Sequence, residues 1–351
     1  MTSFDHAVGF CLVQQSLRRT AWAKAEANSS QHRNASAALA HPTTATVPKS
    51  ESTLAPAKIN LTLRIFGRRA DGFHELESLV AFAPFGDRLT LWPDGSLDLK
   101  ASGPMAAGAG PLADNLVLRA ARAVAERIEG LTLGRFVLFK RLPSGAGLGG
   151  GSADAAAALR LIAKANGLSL DDRRIYEAAR ATGADIPVCL DPRPRAMRGI
   201  GEILSAPMVL PKLGIVIVHP GVALPTGPVF KALGLAPGEQ LMGRSPPPAM
   251  AYPSTFVQAE EGGQAAKRDA LLAWLASEGN DLESAAISIA PQIADVLRAV
   301  AGLAGCRLAR MSGSGSACFG LFESGRAAAA AARRLAAARP SWWVRAGLLG
   351  S

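Results

Sequence analysis

Apolar and polar residues alternate regularly only after the first fifty or so positions of the chain. Residues 58–66 alternate polar with apolar side chains, which predicts a half-buried β-strand. Further apolar stretches predict strands at 76–83, 87–92, 135–141, 188–190, 214–219, 307–311 and 317–322. Amphipathic or alanine-rich segments predict helices at 115–127, 152–165, 171–180, 269–276, 291–301 and 327–338. Because strands and helices are mixed along the chain, the sequence predicts an α+β fold.

The pattern also divides the chain into segments. Residues 1–53 are rich in Ala, Ser, Thr and Gln and poor in acids, so we expect a disordered leader there. A mis-called start or a transit peptide would give a similar composition. A second unit is predicted to begin near Pro211, which gives an N-terminal domain at 54–208 and a C-terminal domain at 209–351. The Pro- and Gly-rich stretch 235–268 is predicted to be an irregular insertion.

Composition narrows the class of protein. Hydrophobic residues make up 49% of the chain, as in globular proteins, and no apolar run is long enough to span a bilayer. The four cysteines, Cys11, Cys189, Cys306 and Cys318, are widely spaced and form no metal-ligand pattern. We therefore expect reduced cysteines and a cytoplasmic protein.

The chain is strongly basic, with a formal net charge of +10. Such a charge can indicate a nucleic-acid partner, or a small and highly anionic substrate. The arginines are spread along the chain and aromatic residues make up only 5%, so no basic arm or stacking surface is evident. These features favour a small-molecule substrate, with no nucleic-acid or membrane partner. We expect a monomer or a weak homodimer.

The most distinctive stretch is LPSGAGLGGGSADA at 142–155, which lies between a predicted strand and an alanine-rich helix. Gly145, Gly147 and Gly150 fit the dinucleotide motif G-x-G-x-x-G, but no acidic residue ends a second parallel strand, so a Rossmann unit is rejected. A Walker A loop would need a lysine after the glycines. Ser152 is predicted to cap the helix at 152–165, and Ser169 the helix at 171–180. A glycine-rich loop at a helix N-terminus predicts a phosphate site, whereas a simple tight turn would need fewer glycines.

Several single positions are candidates for chemistry, although each also has a plain structural explanation. Lys58 and Asn60 lie on one face of a predicted strand, where an exposed lysine is the simpler explanation. Asp185 precedes a proline and would serve equally as a turn or cap residue. His74 lies in a predicted loop, where a histidine is usually solvated, but the neighbouring Phe73 is less usual because exposed phenylalanine often marks a contact.

Three stretches taken in order resemble the motifs of the GHMP kinases: PAKINL at 56–61, LPSGAGLGGGSADAA at 142–156 and MSGSGSACF at 311–319. The resemblance covers about residues 55–346. It implies a two-domain GHMP kinase fold, with an N-terminal ATP-binding domain and a C-terminal ferredoxin-like α+β domain. It also implies ATP-dependent phosphorylation of an alcohol, with ATP and Mg²⁺ as cofactors. Further stretches, RADGFHEL, GADIPV and GIGEI, resemble the branch whose substrate carries a cytidine diphosphate group.

The resemblance assigns roles to individual residues. It matches Asp185 to the catalytic aspartate, acting as general base, and Lys58 to the catalytic lysine. It matches substrate contacts to Asn60, to the cytosine-stacking pair Phe73 and Phe230, and to the hydrogen-bonding His74. It matches the ATP phosphate loop to Pro143, Ser144, Gly145, Ala146, Gly147, Leu148, Gly149, Gly150, Gly151, Ser152 and Ala153. No side chain is matched to a metal ligand.

Overall fold

The computed structural model describes residues 50–94, 96–244 and 263–350. Nearly all of the predicted leader, residues 1–49, lies outside the described residues. So does the centre of the predicted insertion, residues 245–262. No helix within the described ranges has the length and apolar character needed to cross a bilayer.

In the described ranges the larger sheet has seven strands, one of which is a long central strand. The strands are β1 (Glu51–Asn60), β2 (Arg64–Arg68), β3 (His74–Trp92), β4 (Asp98–Ser102), β5 (Arg135–Phe139), β6 (Arg195–Gly199) and β7 (Ile203–Leu204). β3 spans 19 residues and pairs with β1 and β2 along one edge and with β5 and β6 along the other. All pairs are antiparallel except β4 with β5.

In the part of the chain that the structure describes, four helices pack with this sheet, and α2 contacts β1 and β3 directly. They are α1 (Leu116–Ala125), α2 (Gly150–Ala165), α3 (Arg173–Thr182) and α4 (Ile186–Leu190). Two short 3₁₀ helices, Ala106–Ala109 and Leu112–Asp114, precede α1. The Asn115 side chain caps α1 by accepting a hydrogen bond from the Val117 amide, as short polar residues commonly do at this position.

The smaller sheet is antiparallel in the order β11–β8–β10–β9. Its strands are β8 (Leu213–His219), β9 (Leu308–Met311), β10 (Cys318–Phe322) and β11 (Trp343–Leu349). Among the described residues, five helices accompany it: α5 (Thr226–Lys231), α6 (Gln264–Ser277), α7 (Glu283–Ile289), α8 (Gln292–Ala301) and α9 (Gly325–Ala338). Every residue of β8 and β10 is buried.

β1 lies where the two sheets share a core. Side chains alternate along β1 and the residue after it, so Ile59 and Leu61 pack in one apolar cluster with Ile217 of β8 and Phe319 of β10. Arg310 of β9 also donates a hydrogen bond to the Leu61 carbonyl, at 2.7 Å. The remaining face of β1 is thereby held in a fixed position relative to both sheets.

The predicted α+β class is confirmed, but some predicted elements are wrong. The single strand predicted at 58–66 is two strands, and the two predicted at 76–83 and 87–92 are one continuous β3. The strand predicted at 188–190 is the helix α4. A short apolar run does not distinguish strand from helix, and Pro187 is well suited to the first turn of a helix.

Two predicted helix caps are also wrong. Gly149, in a left-handed conformation with φ of 61°, precedes α2, and Ser152 lies inside the first turn. Asp172 caps α3 by accepting a hydrogen bond from the Arg174 amide. The predicted cap, Ser169, instead accepts from the amide of Asp171.

Candidate active site

A cavity of about 960 Å³ opens between the glycine-rich loop, the end of β1 and α5. It is lined by all the predicted site residues except Ala153, which is buried inside α2. Residues from distant parts of the chain therefore face one space. A volume of this size accommodates a large ligand or two smaller ones.

Lys58 and Asp185 form an ion pair within this cavity. Lys58 Nζ lies 2.9 Å from Asp185 Oδ1, and the lysine is buried while 39% of the aspartate side chain is exposed. Lys58 projects from β1 and Asp185 stands immediately before α4. An ammonium group is costly to bury alone, so Asp185 stabilises the buried Lys58. The ion pair fixes both side chains, and the exposed part of the carboxylate remains open to a ligand.

Two glycines of the glycine-rich loop have left-handed backbone conformations and lie against neighbouring elements. Gly147 has φ of 70°, and a Cβ there would lie 2.3 Å from the carbonyl oxygen of Ser312. A Cβ on Gly149 would lie 3.2 Å from the side chain of Lys58. Glycine at these positions therefore allows the loop to pass between β1 and the 311–316 loop.

The loop uses its carbonyl groups for internal contacts. The Leu148 carbonyl accepts from the Lys58 amide at 2.9 Å, and the Ala146 carbonyl accepts from the Ala317 amide at 3.0 Å. The first turn of α2 has no side-chain cap, so its leading N–H groups remain available at the cavity. Together with the positive end of the helix dipole, these groups form a candidate anion site.

The Ser/Gly loop at 311–316 closes the cavity from the side of the smaller sheet. Ser312 Oγ accepts from the Asn60 amide and donates to the Gly147 carbonyl, each at 3.1 Å. Asn280 Nδ2 donates to the carbonyls of Met311 and Gly313, at 2.9 and 2.8 Å. Asn280 was not among the sequence-predicted residues, because nothing in its local pattern indicates that it supports a distant loop.

Asn60 presents an acceptor to the cavity. Its Nδ2 donates to Ser78 Oγ at 2.8 Å, and Ser78 Oγ donates in turn to the Thr62 carbonyl at 2.5 Å. This chain of donors fixes the orientation of the amide. Asn60 Oδ1 is buried and has no partner among the described residues, so it is free to accept from a hydroxyl group of a ligand.

The far end of the cavity is aromatic. The rings of His74 and Phe230 are 4.8 Å apart between centroids, and 55% of Phe73 is exposed beside them. Burial, and then the positive charge of Arg68, lower the pKa of His74 below 6.5, so its ring is neutral at neutral pH. His74 Nε2 is buried with no partner in the described part of the chain. This end can stack on a flat ring and form a hydrogen bond to its edge.

A charged cluster that sequence reasoning missed lies beneath the glycine-rich loop. Lys140 Nζ lies 2.5 Å from Asp87 Oδ2 and 2.8 Å from Asp154 Oδ2, and all three residues are buried. Asp87 Oδ1 also accepts from the amides of Arg141 and Leu142, at 2.5 and 2.9 Å. The cluster ties β3, the end of β5 and the first turns of α2 together under the anion site.

Two protein-family models match the chain, one in its N-terminal part and one in its C-terminal part. The family model for the GHMP kinases N terminal domain matches residues 115–191. The model for the GHMP kinases C terminal matches residues 263–340. The chain is also 58% identical, over 84% of its length and 97% of the relative, to a 4-diphosphocytidyl-2-C-methyl-D-erythritol kinase of Xanthobacter autotrophicus. It is 56% identical to the protein of that name from Methylobacterium radiotolerans, over 83% and 96% of the two chains.

Two solved structures have folds similar to that of this chain. A 4-(cytidine 5'-diphospho)-2C-methyl-D-erythritol kinase matches with a TM-score of 0.64 and 35% identity, over 86% of this chain and 100% of the other. A homoserine kinase from Cytophaga hutchinsonii matches with a TM-score of 0.58 and 20% identity, over 85% and 94% of the two chains. The second likeness concerns the fold alone.

Proposed function

The chain belongs to the GHMP kinases, and from this premise we propose that it phosphorylates the 2-hydroxyl of 4-diphosphocytidyl-2-C-methyl-D-erythritol with ATP. The reaction would serve non-mevalonate isoprenoid precursor synthesis. One observation carries the proposal: the Lys58–Asp185 pair lies in the same cavity as the anion site and the aromatic end. A phosphate donor and a base-bearing alcohol could therefore meet at the pair.

We propose that the triphosphate of ATP binds at the glycine-rich loop. The free N–H groups at the start of α2 lie at the cavity, and Gly147 and Gly149 allow the loop to pack in the position that leads into them. Phosphoryl transfer depends mainly on positioning and on neutralising charge. Ser312 and Lys58 hold the loop backbone by hydrogen bonds to its carbonyl groups, so the loop can position the phosphates.

We propose that Asp185 accepts the proton of the attacking hydroxyl. Its Oδ1 is bound to Lys58 at 2.9 Å, and the carboxylate remains partly exposed to the cavity. A carboxylate in this position can take the proton as the bond to phosphorus forms. Lys58 would orient the carboxylate and stabilise charge on the oxygen. Asn60 Oδ1 offers the alcohol a second, fixed hydrogen bond.

We propose that the aromatic end binds the cytosine. Phe73 and Phe230 would stack on its two faces, and the neutral His74 would form a hydrogen bond to its edge. Stacking of a base on an aromatic side chain contributes about 1–3 kcal/mol in nucleic-acid complexes. The cytidylyl group would therefore contribute much of the affinity and select this alcohol over smaller ones.

We propose that Mg²⁺ accompanies ATP. In the described part of the chain, no three His, Cys, Asp or Glu side chains are grouped to hold a metal ion. The cavity offers the Ser152 hydroxyl oxygen beside the proposed triphosphate site. Mg²⁺ keeps several waters and binds chiefly to phosphate oxygens in nucleotide sites, so this donor set fits it. Its contribution would be to neutralise charge on the triphosphate.

The proposal is tested by measuring ADP release from ATP and Mg²⁺ with three alcohols: diphosphocytidyl-methylerythritol, mevalonate and homoserine. Asp185→Asn, which keeps the size of the side chain, serves as the inactive control. We expect turnover with the cytidylyl alcohol alone. Turnover with mevalonate or homoserine instead would overturn the assignment of the aromatic end, and turnover with none of them would overturn the kinase assignment.

A further inference from the structure

Arg68 occupies the junction between the two segments that carry the aromatic residues. It is the last residue of β2, immediately before the loop that leads to Phe73 and His74. Its backbone pairs with a segment that follows α5: the Arg68 amide donates to the Glu239 carbonyl at 2.7 Å, and the Gly238 amide donates to the Arg68 carbonyl at 2.8 Å. The chain after Phe230 is therefore added to the edge of β2.

The Arg68 side chain joins the same two segments a second time. Its Nε donates to the Gly72 carbonyl at 3.2 Å, and its Nη1 donates to the Leu235 carbonyl at 3.0 Å. Gly72 immediately precedes Phe73, whereas Leu235 lies five residues beyond Phe230. The guanidinium group is planar, so its two donors hold the two carbonyls at a fixed separation.

The charge of Arg68 also acts on the cavity. Arg68 lines the cavity and forms no ion pair with a carboxylate in the described ranges. Its positive charge contributes, after burial, to lowering the pKa of His74. An unpaired cation in this position favours a ligand that carries negative charge next to an aromatic base.

We propose that Arg68 is a positioning residue that sets the spacing of the two sides of the base-binding site, an inference that rests on the proposed function. Phe73 approaches from the β2–β3 loop and Phe230 from α5, and the backbone pairing of Arg68 with Gly238 and Glu239 lies further along the chain from Phe230 than the side-chain contact at Leu235. A base would fit between them only if the separation of their segments is fixed before it arrives. The Arg68 side chain fixes that separation without touching the reacting atoms.

The consequence is a selective effect on the cytidylyl substrate. Loss of the guanidinium group would release both carbonyls and widen the range of separations between the two segments. The glycine-rich loop and the Lys58–Asp185 pair make no hydrogen bond to Arg68, so ATP binding and the rate of transfer in the full complex would be preserved. The effect should therefore appear in KM for the alcohol and not in kcat.

The test compares Arg68→Met, Arg68→Lys and the control Arg88→Met in the full chain. Arg88 is an exposed arginine in the same sheet that lies outside the cavity lining. The measurements are kcat, KM for the cytidylyl alcohol, KM for ATP, the melting temperature and the inhibition constant of cytidine diphosphate. Cytidine diphosphate lacks the methylerythritol group, so it reports on the base-binding end alone.

For Arg68→Met we expect KM for the alcohol and the inhibition constant of cytidine diphosphate to rise together by about tenfold, as for loss of a hydrogen bond from a charged donor. KM for ATP and kcat should match those of Arg88→Met, whereas the melting temperature should be lower because two hydrogen bonds are lost. The KM of Arg68→Lys for the alcohol should lie between those of Arg68→Met and Arg88→Met, because lysine keeps the charge but lacks the planar guanidinium group. If Arg68→Met fails to fold, a KM of Arg68→Lys for the alcohol that is higher than that of Arg88→Met, with an unchanged KM for ATP, supports the proposal.

Two results would overturn it, and they are distinguishable. If the wild-type protein uses the cytidylyl alcohol but Arg68→Met has unchanged KM and unchanged inhibition by cytidine diphosphate, Arg68 does not set the spacing. If wild-type protein neither uses the cytidylyl alcohol nor is inhibited by cytidine diphosphate, the proposed function fails and this inference fails with it.

Discussion

Replacing Asp154 with asparagine should make the stability of the protein less sensitive to pH. Lys140 faces two buried carboxylates, and one ammonium group compensates only one of them. Asp87 has both oxygens engaged, by Lys140 and by two backbone amides. Asp154 Oδ1 has no partner among the described residues. Burial, opposed by Lys140, raises the pKa of Asp154 to about 7, so this carboxyl group holds its proton below that pH.

The sign of the effect follows from proton binding. In the unfolded chain an aspartate releases its proton near pH 3.9. Above that pH, and up to the higher pKa of Asp154 in the folded state, the folded protein keeps one proton more than the unfolded chain. Its free energy of unfolding therefore falls as pH rises, by up to about 1.4 kcal/mol per pH unit. The Asp154→Asn amide can donate to Asp87 in place of the protonated acid and removes this dependence.

The free energy of unfolding of Asp154→Asn minus that of the wild type should increase by about 2 kcal/mol between pH 5 and pH 8. Urea unfolding followed by tryptophan fluorescence at several pH values measures this difference. Asp98→Asn is the matched control, because Asp98 is exposed on β4 and should leave the curve unchanged. Parallel curves for wild type and Asp154→Asn would refute the protonation argument.

Three other substitutions or reagents test separate parts of the structure. Gly147→Ala should destabilise the protein by about 3 kcal/mol or more and weaken nucleotide binding, because its Cβ would meet the Ser312 carbonyl in a left-handed conformation; wild-type stability in urea would contradict this. Phe73→Ala should raise KM for the cytidylyl alcohol about tenfold without lowering the melting temperature, since the ring is largely exposed, and an unchanged KM would argue against stacking. Burial raises the pKa of Cys189 to about 12, so iodoacetamide at pH 8 should not alkylate it in the native protein; rapid labelling detected by mass spectrometry would show that the thiol is accessible.

Local sequence pattern was sufficient for the parts of the site that lie on one continuous segment. The glycine-rich stretch predicts a turn that leads into a helix, and period-two alternation places Lys58 and Asn60 on one face of β1. These predictions need only neighbouring residues. Single residues such as Asp185 carried no signal alone and were identified through the resemblance to the family.

Contacts that depend on long-range register were not predictable in this way. Lys140 and Asp87 are 53 residues apart and meet because β5 pairs with β3, which no local pattern specifies. Arg68 and Leu235 are 167 residues apart, and their hydrogen bond depends on a segment that was predicted only as an irregular insertion. The helix α4 was missed because a run of five apolar-rich residues fits either a strand or a helix.

The most direct test of the kinase account is kcat of Asp185→Asn with the cytidylyl alcohol at saturating ATP. Asparagine keeps the shape of the side chain and its contact with Lys58 but cannot accept the hydroxyl proton as a carboxylate does. The account predicts a fall in kcat of about 10²–10⁴-fold, with affinities for ATP and cytidine diphosphate within twofold of wild type. A kcat within tenfold of wild type would show that Asp185 is not the base and would contradict the account at its centre.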